Sequence, residues 1–250
     1  MKILALDSSG LVASVAVVSD DNLIGEYTIN YKKTHSQTLL PMLDEISNMT
    51  ELDLSTIDAI AVAGGPGSFT GLRIGSATAK GLGLALEKPL ISIPTTAAIA
   101  YNIWDTNKFV CPIMDARRNQ VYTGVYCYTD HRLDTVWEQD TMSIEALAEG
   151  LNCLDHEVIF LGDGVAVYRE KLEALLTIPF SFAPAHVNRQ RAAAVGALAE
   201  VYYKEGKIQT AEEHEPEYLR KSQAERERAE RESVKHADVL KKQKNGEKSE

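Results

Sequence analysis

The residues of this chain that could handle phosphate or activate water sit at four turns. Asp7-Ser8-Ser9-Gly10 and Asp115-Ala116-Arg117-Arg118 each follow an apolar run, Gly162-Asp163-Gly164 closes another, and Gly64 to Gly75 reads Gly-Gly-Pro-Gly-Ser-Phe-Thr-Gly-Leu-Arg-Ile-Gly. A carboxylate at such a turn can face a metal ion or a water, while backbone N–H groups and the hydroxyls of Ser8 and Ser9 can cradle phosphate oxygens. Glycine supplies a positive φ or a close approach of backbone, and Pro66 fixes how the longest of these turns begins. That turn is not a Walker A loop, because no Lys-Ser or Lys-Thr pair follows its last glycine and Lys80 falls inside the next helix. It also lacks the spacing and the ribose-binding acid of a dinucleotide loop.

Metal and nucleophile chemistry are poorly supplied. The six histidines, at 35, 131, 156, 186, 214 and 236, nowhere show metal-ligand spacing. His35 is a lone residue at a helix start, where capping or packing outweighs catalysis. Ser8, Ser9, Ser36 and Ser68 have no Gly-x-Ser-x-Gly context, and no cysteine has a histidine partner in the local pattern. A hydrolase is therefore disfavoured.

The elements that must position these turns are legible from periodicity. Strands are expected at 3–6, 12–18 and 23–31 as an antiparallel meander, then a helix at 36–49 with Thr34 or Ser36 as N-cap and Pro41 near its start. A buried strand at 58–63 leads through the glycine turn into a helix at 70–86, followed by a strand at 89–93 and a helix at 95–104. The pattern then restarts, with strands at 109–115 and 120–128, a helix at 143–150, a strand at 158–161, a helix at 166–176 and an alanine-rich amphipathic helix at 188–205. Three domains are read: 1–106 with candidate partner-binding helices, a reduced second half at 107–221, and a tail at 222–250. That tail is charged, lacks aromatics, and is read as solvated, with a helix at 223–236 supported only by weak Glu/Arg pairs.

Two tandem α/β halves that each open strand, aspartate, turn, strand resemble the actin, Hsp70 and sugar-kinase (ASKHA) superfamily, an α/β fold class. The resemblance implies a nucleotide cleft, with Asp7 and Asp115 as its metal- or water-facing acids, Ser8 beside phosphate, and Gly162 and Gly164 against the adenosine. The residues alone also allow Asp7 to be a turn former and the glycines to be ordinary loop punctuation.

A closer resemblance rests on Ile3 to Val18, His35-Ser36-Gln37 with Leu39-Leu40-Pro41, Gly64 to Gly75 with Ala79-Lys80-Gly81, Asp115 to Tyr122, and Pro216-Glu217-Tyr218-Leu219-Arg220. In this order, over residues 1 to about 220, the chain resembles the TsaB (YeaZ) family. The resemblance implies a non-catalytic subunit in the addition of threonylcarbamoyl to adenosine 37 of tRNAs reading codons that begin with A. Its implied partners are the catalytic paralogue TsaD and the ATPase TsaE, with threonylcarbamoyl-adenylate made by TsaC and with ATP and Mg used by the complex. Catalytic TsaD-like members carry His-x-x-x-His where this chain reads Pro94-Thr95-Thr96-Ala97-Ala98, so no metal ligand and no cofactor is expected to be bound by this chain.

Gly71, Gly75, Ala79 and Gly83 recur every four residues and form one stripe of very small side chains, which lets another backbone approach closely at a cost of about 1 kcal/mol per mid-helix glycine. The residues alone leave open whether that stripe packs on the chain's own sheet or on a partner. The family resemblance implies a helical bundle with TsaD, or a homodimer when the chain is alone, using Leu39, Leu43, Leu72, Arg73 and Ile74 beside the stripe. The role of Arg73 is left unassigned. An ATP-dependent small-molecule phosphotransferase using Asp7 and Asp115 is the alternative in a different class, and a homodimeric scaffold is a third.

Bulk composition agrees with a binding protein of the cytoplasm. An apolar share of 44% is ample for buried cores, and a formal charge of -10 disfavours tight nucleic-acid binding by the chain alone, leaving tRNA to be met through a complex. Cys111, Cys127 and Cys153 form no CxxC pair and are read as buried apolar residues. No signal peptide and no apolar run near ~20 residues is evident, so membrane contact is not expected.

Overall fold

Every residue of β1 (Lys2–Asp7) after Lys2 is buried, which a strand achieves only when both faces of its sheet are covered. With a period of two, Ile3 and Ala5 point to one core cluster and Leu4 and Leu6 to another. The computed structural model describes residues 1–31 and 35–220. Met1–Tyr218 form one compact unit.

β1 pairs antiparallel with β2 (Ala13–Ser19), which pairs with β3 (Asn22–Ile29), as the alternation predicts. A 3-10 turn at His35–Gln37 leads into α1 (Leu39–Met49), and β4 (Ala59–Gly65), α2 (Phe69–Leu86), β5 (Leu90–Pro94) and α3 (Thr95–Ala100) complete the first half. The sheet order is β3-β2-β1-β4-β5. The second half repeats it with β6 (Phe109–Asp115), β7 (Gln120–Thr129), β8 (Arg132–Ser143), α4 (Ile144–Leu154), β9 (Val158–Leu161), α5 (Val165–Leu175), β10 (Phe180–Phe182) and α6 (Ala192–Lys204). Its sheet order is β10-β9-β6-β7-β8, the same topology with each strand replaced by its counterpart.

α1 covers one face of the first sheet through Leu39, Met42, Leu43 and Ile46, and α2 through Ala79 with Ile74 and Leu82, while α4 and α5 cover the second sheet through Leu147, Leu151, Tyr168 and Leu172. α3 and α6 lie in the shared core between the sheets. Gly196 of α6 packs so closely on the first sheet that a Cβ there would stand 2.7 Å from Val18 Cγ2 and 3.3 Å from Ala5 Cβ.

Several sequence expectations are corrected. β8 was not expected, because its exposed acids Asp134, Glu138 and Asp140 and the register shifts opposite it blur the alternation of a strand at the sheet edge. β10 has only three residues. α3 stops at Ala100 and α6 starts at Ala192, where the extended backbone of Arg191 precedes it. The N-cap position of α1 is Thr38, which makes no side-chain capping bond; Ser36 lies in the 3-10 turn, and Thr34 falls outside the described residues. The tail reading at 222–250, with its helix at 223–236, also falls outside them. Cys111 is buried, but Cys127 is half-buried and Cys153 exposed, so only the first behaves as a core residue.

Candidate functional site

The Asp7 turn is closed on itself. Asp7 is fully buried, and its Oδ1 accepts hydrogen bonds from the Ser9 amide at 2.8 Å and the Ser9 hydroxyl at 2.7 Å. The Ser8 hydroxyl donates to the Gly71 carbonyl at 2.9 Å, and the Ser9 carbonyl accepts from the Ser68 amide at 2.6 Å. His35 bonds the Gly10 carbonyl through Nε2 at 2.9 Å, so its role is to tie the segment before α1 to this turn. Burial pushes the Asp7 carboxyl up to about 6, with the Ser9 hydrogen bonds and then the His35 charge opposing. Asp7 Oδ2, His35 Nδ1 and both amide atoms of Gln190 are buried without a protein hydrogen-bond partner. The Gln190 amide fills the space beside Gly10, where a Cβ would come within 2.6 Å of its Nε2. Both hydroxyls of the turn are thus bonded within the chain, that of Ser8 to Gly71 and that of Ser9 to Asp7.

The second-half turns are also self-satisfied. Asp115 Oδ1 accepts from the Arg117 amide at 2.8 Å and the Tyr168 hydroxyl at 3.1 Å, and the Asp115 amide donates to Asp163 Oδ1 at 3.2 Å. Gly162, with φ of 102°, and Gly164 lie against β6, where added Cβ atoms would stand 2.2 and 2.9 Å from the Ile113 carbonyl oxygen. Both glycines thus let the turn pack closely on the β6 backbone. Arg117, Arg118 and Asn119 are three consecutive exposed residues with positive φ.

The small-residue stripe faces inward. A Cβ on Gly71 would stand 2.0 Å from the Ser8 carbonyl oxygen, on Gly75 2.5 Å from Ser8 Oγ, and on Gly83 2.4 Å from Leu90 Cδ1; Ala79 is fully buried. The stripe thus seats α2 on the Asp7 turn and the adjoining strands. Leu39, Leu43 and Leu72 are buried in the chain's own core as well, and Ile74 packs against it half-buried. Of the residues expected at a partner interface, only Arg73 is exposed. The face α2 does present outward is Thr70, Ala77, Gly81 and Leu84, with Gly81 in open space and Leu84 55% exposed. α1 adds Leu40 and Met49 at 54% and 78% exposure.

A C-terminal strap, residues 207–218, runs back along α2. Gln209 pairs with Leu90, the His214 ring bonds Ser76 Oγ at 2.7 Å and Gln209 Nε2 at 2.6 Å, and Lys80 Nζ donates to the carbonyls of Glu212 and His214. The Glu217 amide donates to the Gly64 carbonyl at 2.7 Å. Arg73 stacks 4.1 Å over the Phe69 ring and donates from Nε to the Tyr218 hydroxyl at 3.4 Å, while Phe69 and Tyr218 lie 4.6 Å apart. Its role is thereby to fasten the strap. A cavity of about 440 Å³ opens where the strap meets the end of α2, with Leu84, Lys88 and Ile208 in its wall. Nothing in the local sequence marks His214 or Gln190, because Ser76 and Gly10, which they lie against, are far away in the chain.

At the place of the catalytic histidines, Thr95 and Thr96 are fully buried, and Thr96 Oγ1 bonds the Tyr126 hydroxyl at 2.7 Å and Gln139 Oε1 at 2.8 Å. Among the described residues no cluster of three or more His, Cys, Asp or Glu side chains is placed to hold a metal ion, and no helix is long and apolar enough to cross a membrane.

Residues 22–228 match the family model of TsaD, the tRNA N6-adenosine threonylcarbamoyltransferase. The chain is 32% identical over 225 residues to the tRNA threonylcarbamoyladenosine biosynthesis protein TsaB of Bacillus subtilis, a match spanning 90% of this chain and 96% of that protein. Its fold matches YeaZ from Pseudomonas aeruginosa with a TM-score of 0.76 at 27% identity, covering 87% of this chain and 99% of the other. Component A of (R)-2-hydroxyglutaryl-CoA dehydratase from Acidaminococcus fermentans matches with a TM-score of 0.50 at 12% identity, covering 83% of this chain and all of that one, a likeness of fold alone. With its two repeated ASKHA-type halves and this extent of similarity, the chain belongs to the TsaB (YeaZ) family.

Proposed function

We propose that this chain is a non-catalytic accessory subunit in tRNA threonylcarbamoyladenosine biosynthesis, required for threonylcarbamoyl transfer to adenosine 37 of tRNAs reading codons that begin with A. It acts in the cytoplasm by binding a TsaD-like catalytic paralogue and a TsaE-like ATPase, and it meets tRNA through that complex. ATP and Mg are used by the assembly. The observation that carries the reading is the outward face of α2, where Ala77 and Gly81 leave the helix backbone uncovered and Leu84 stands exposed beside them. A glycine at position 81 costs about 1 kcal/mol relative to alanine and relieves no crowding within the chain, so a close-packed partner helix supplies the compensation. The sites that would do chemistry support the same reading. Thr95 and Thr96 stand in for metal ligands, the Asp7 turn spends its hydroxyls internally, and the Ser76–His214 pair is buried with Gln209 in place of an orienting carboxylate. Reconstitution from purified components tests it: modification of tRNA should stop when this chain is left out, and undiminished turnover without it overturns the proposal.

The same outward face, Ala77 and Gly81 with Leu84, can pack against a copy of itself, which favours a homodimer when the partner is absent. Sedimentation of the isolated chain should then show a dimer that gives way to a heterocomplex on adding the paralogue.

A further inference from the structure

β1 runs from Lys2 to Asp7, so the β2–β3 turn at Asp20-Asp21 lies at the opposite end of the first sheet from the Asp7 turn, with the Met1 ammonium on Asp20. The segment after α3 and the β7–β8 turn meet the same region, joined by a hydrogen bond between His131 Nδ1 and Asp105 Oδ2 at 2.6 Å. Between them stands Trp104, edge-on to Tyr101 at 5.5 Å and to Tyr128 at 5.4 Å, and 57% exposed. Two buried oxygens here have no protein partner: Glu200 Oε1, on a side chain whose residue is only 2% exposed, and the Tyr128 hydroxyl. The other oxygen of Glu200 accepts from the Asp21 amide at 3.2 Å. Tyr101 packs against the same core cluster as Met1, and burial raises its pKa, with the charges of Asp21 and then Glu200 adding to it. Burial, Tyr101 and Asp105 raise that of Tyr128 likewise.

The cations at this end are largely engaged. Met1 binds Asp20, and Arg132 and Lys207 both bind Glu205, while Lys204 is near enough to act on Asp20 and Glu200 by charge alone. Asp21 and Glu200 form no ion pair among the described residues. A buried carboxylate oxygen without a donor is costly, and a positive N–H donor relieves that cost better than a neutral one. The exposed Trp104 indole and the half-buried phenol rings of Tyr101 and Tyr128 suit the face of a cation and the aliphatic stem behind it.

We infer that Trp104, Tyr101, Tyr128, Asp21 and Glu200 form a recognition site for a guanidinium or alkylammonium group on an aliphatic stem, as presented by arginine, lysine or a polyamine. The site uses residues outside α1 and α2, so it stands whether or not those helices bind a partner.

The test is an amide NMR titration of the full-length chain with N-acetyl-arginine amide and, separately, spermidine, against sodium chloride at equal ionic strength. Saturable shifts centred on the Trp104 indole and the Asp21 amide are expected, with a midpoint on the order of 1 mM. Glu200→Gln, which keeps an acceptor for the Asp21 amide, should raise the midpoint about tenfold, and Tyr128→Phe, which removes only the hydroxyl, should raise it less. Tighter arginine binding would identify the ligand as a protein side chain, and tighter spermidine binding a free polyamine. Shifts that do not saturate, that sodium chloride reproduces, or that both variants leave unchanged overturn the proposal.

Discussion

Ser76 and His214 are joined by a 2.7 Å hydrogen bond across a sequence separation of 138, and this bond fixes where the C-terminal strap crosses α2. Gln209 Nε2 donates to Nδ1, so the neutral ring donates from Nε2 to the Ser76 hydroxyl. Burial and then the Lys80 charge hold the His214 pKa below its ordinary value of 6.5. The unfolded chain therefore binds more protons than the folded one, and stability falls as pH drops below 6.5 toward the folded pKa. Urea unfolding should show this loss between neutral and mildly acidic pH, and His214→Gln should flatten it while costing about 1 to 3 kcal/mol at neutral pH.

Asp7 has the opposite sign. Its carboxyl is raised from 3.8 to about 6, so the folded chain holds its proton longer and stability falls as pH rises through about 4 to 6. The full difference is about 3 kcal/mol for a group this buried. Asp7→Asn, which keeps an acceptor for Ser9, should remove that dependence, and a wild-type stability curve unchanged by the substitution would contradict the assignment.

Gly75 and Gly81 lie on opposite sides of one helix and should separate folding from binding. Gly75→Ala places a Cβ 2.5 Å from Ser8 Oγ and should lower stability by about 1 to 3 kcal/mol. A Cβ at Gly81 meets nothing within 4 Å, so Gly81→Leu should leave Tm unchanged or raised, since leucine is the better helix former. It should nevertheless abolish co-elution with the TsaD-like paralogue. Retained co-elution would remove α2 from the interface.

The three thiols should react in order of access. Cys153 is exposed and should be modified first by a thiol-disulfide reagent, Cys127 more slowly, and Cys111 only on denaturation, because burial pushes its pKa up to about 12. Mass spectrometry of peptides after timed labelling reads the order directly.

The strand, acid, turn, strand repeat was legible because residues such as Leu4 and Leu6 alternate locally with Ile3 and Ala5, and local alternation is what a strand imprints on sequence. The stripe of Gly71, Gly75, Ala79 and Gly83 was equally visible, but which way it faced was not. Both answers demand small side chains at a spacing of four, and only the position of Ser8 decides between them. Arg73 could not be assigned because its partners are Phe69 nearby and Tyr218 at the far end of the chain. The orphaned amide of Gln190 and the buried carboxylate of Glu200 left no trace in sequence for the same reason: each is defined by elements brought together from the other half.

The place of α6 has a consequence for synthesis. Its amide at Ala192 is held by the Ser14 hydroxyl, Arg191 pairs with Glu26, and Gly196 fits between Val18 and Ala5, so one face of the first sheet is covered by almost the last helix to be translated. While the ribosome is still adding the intervening residues, α3 can cover only the β4 and β5 side of that face, and β1 and β2 have no lid. The nascent first half must wait, with its apolar strands exposed, for the chain to return, and that interval is when the protein most needs shielding from aggregation.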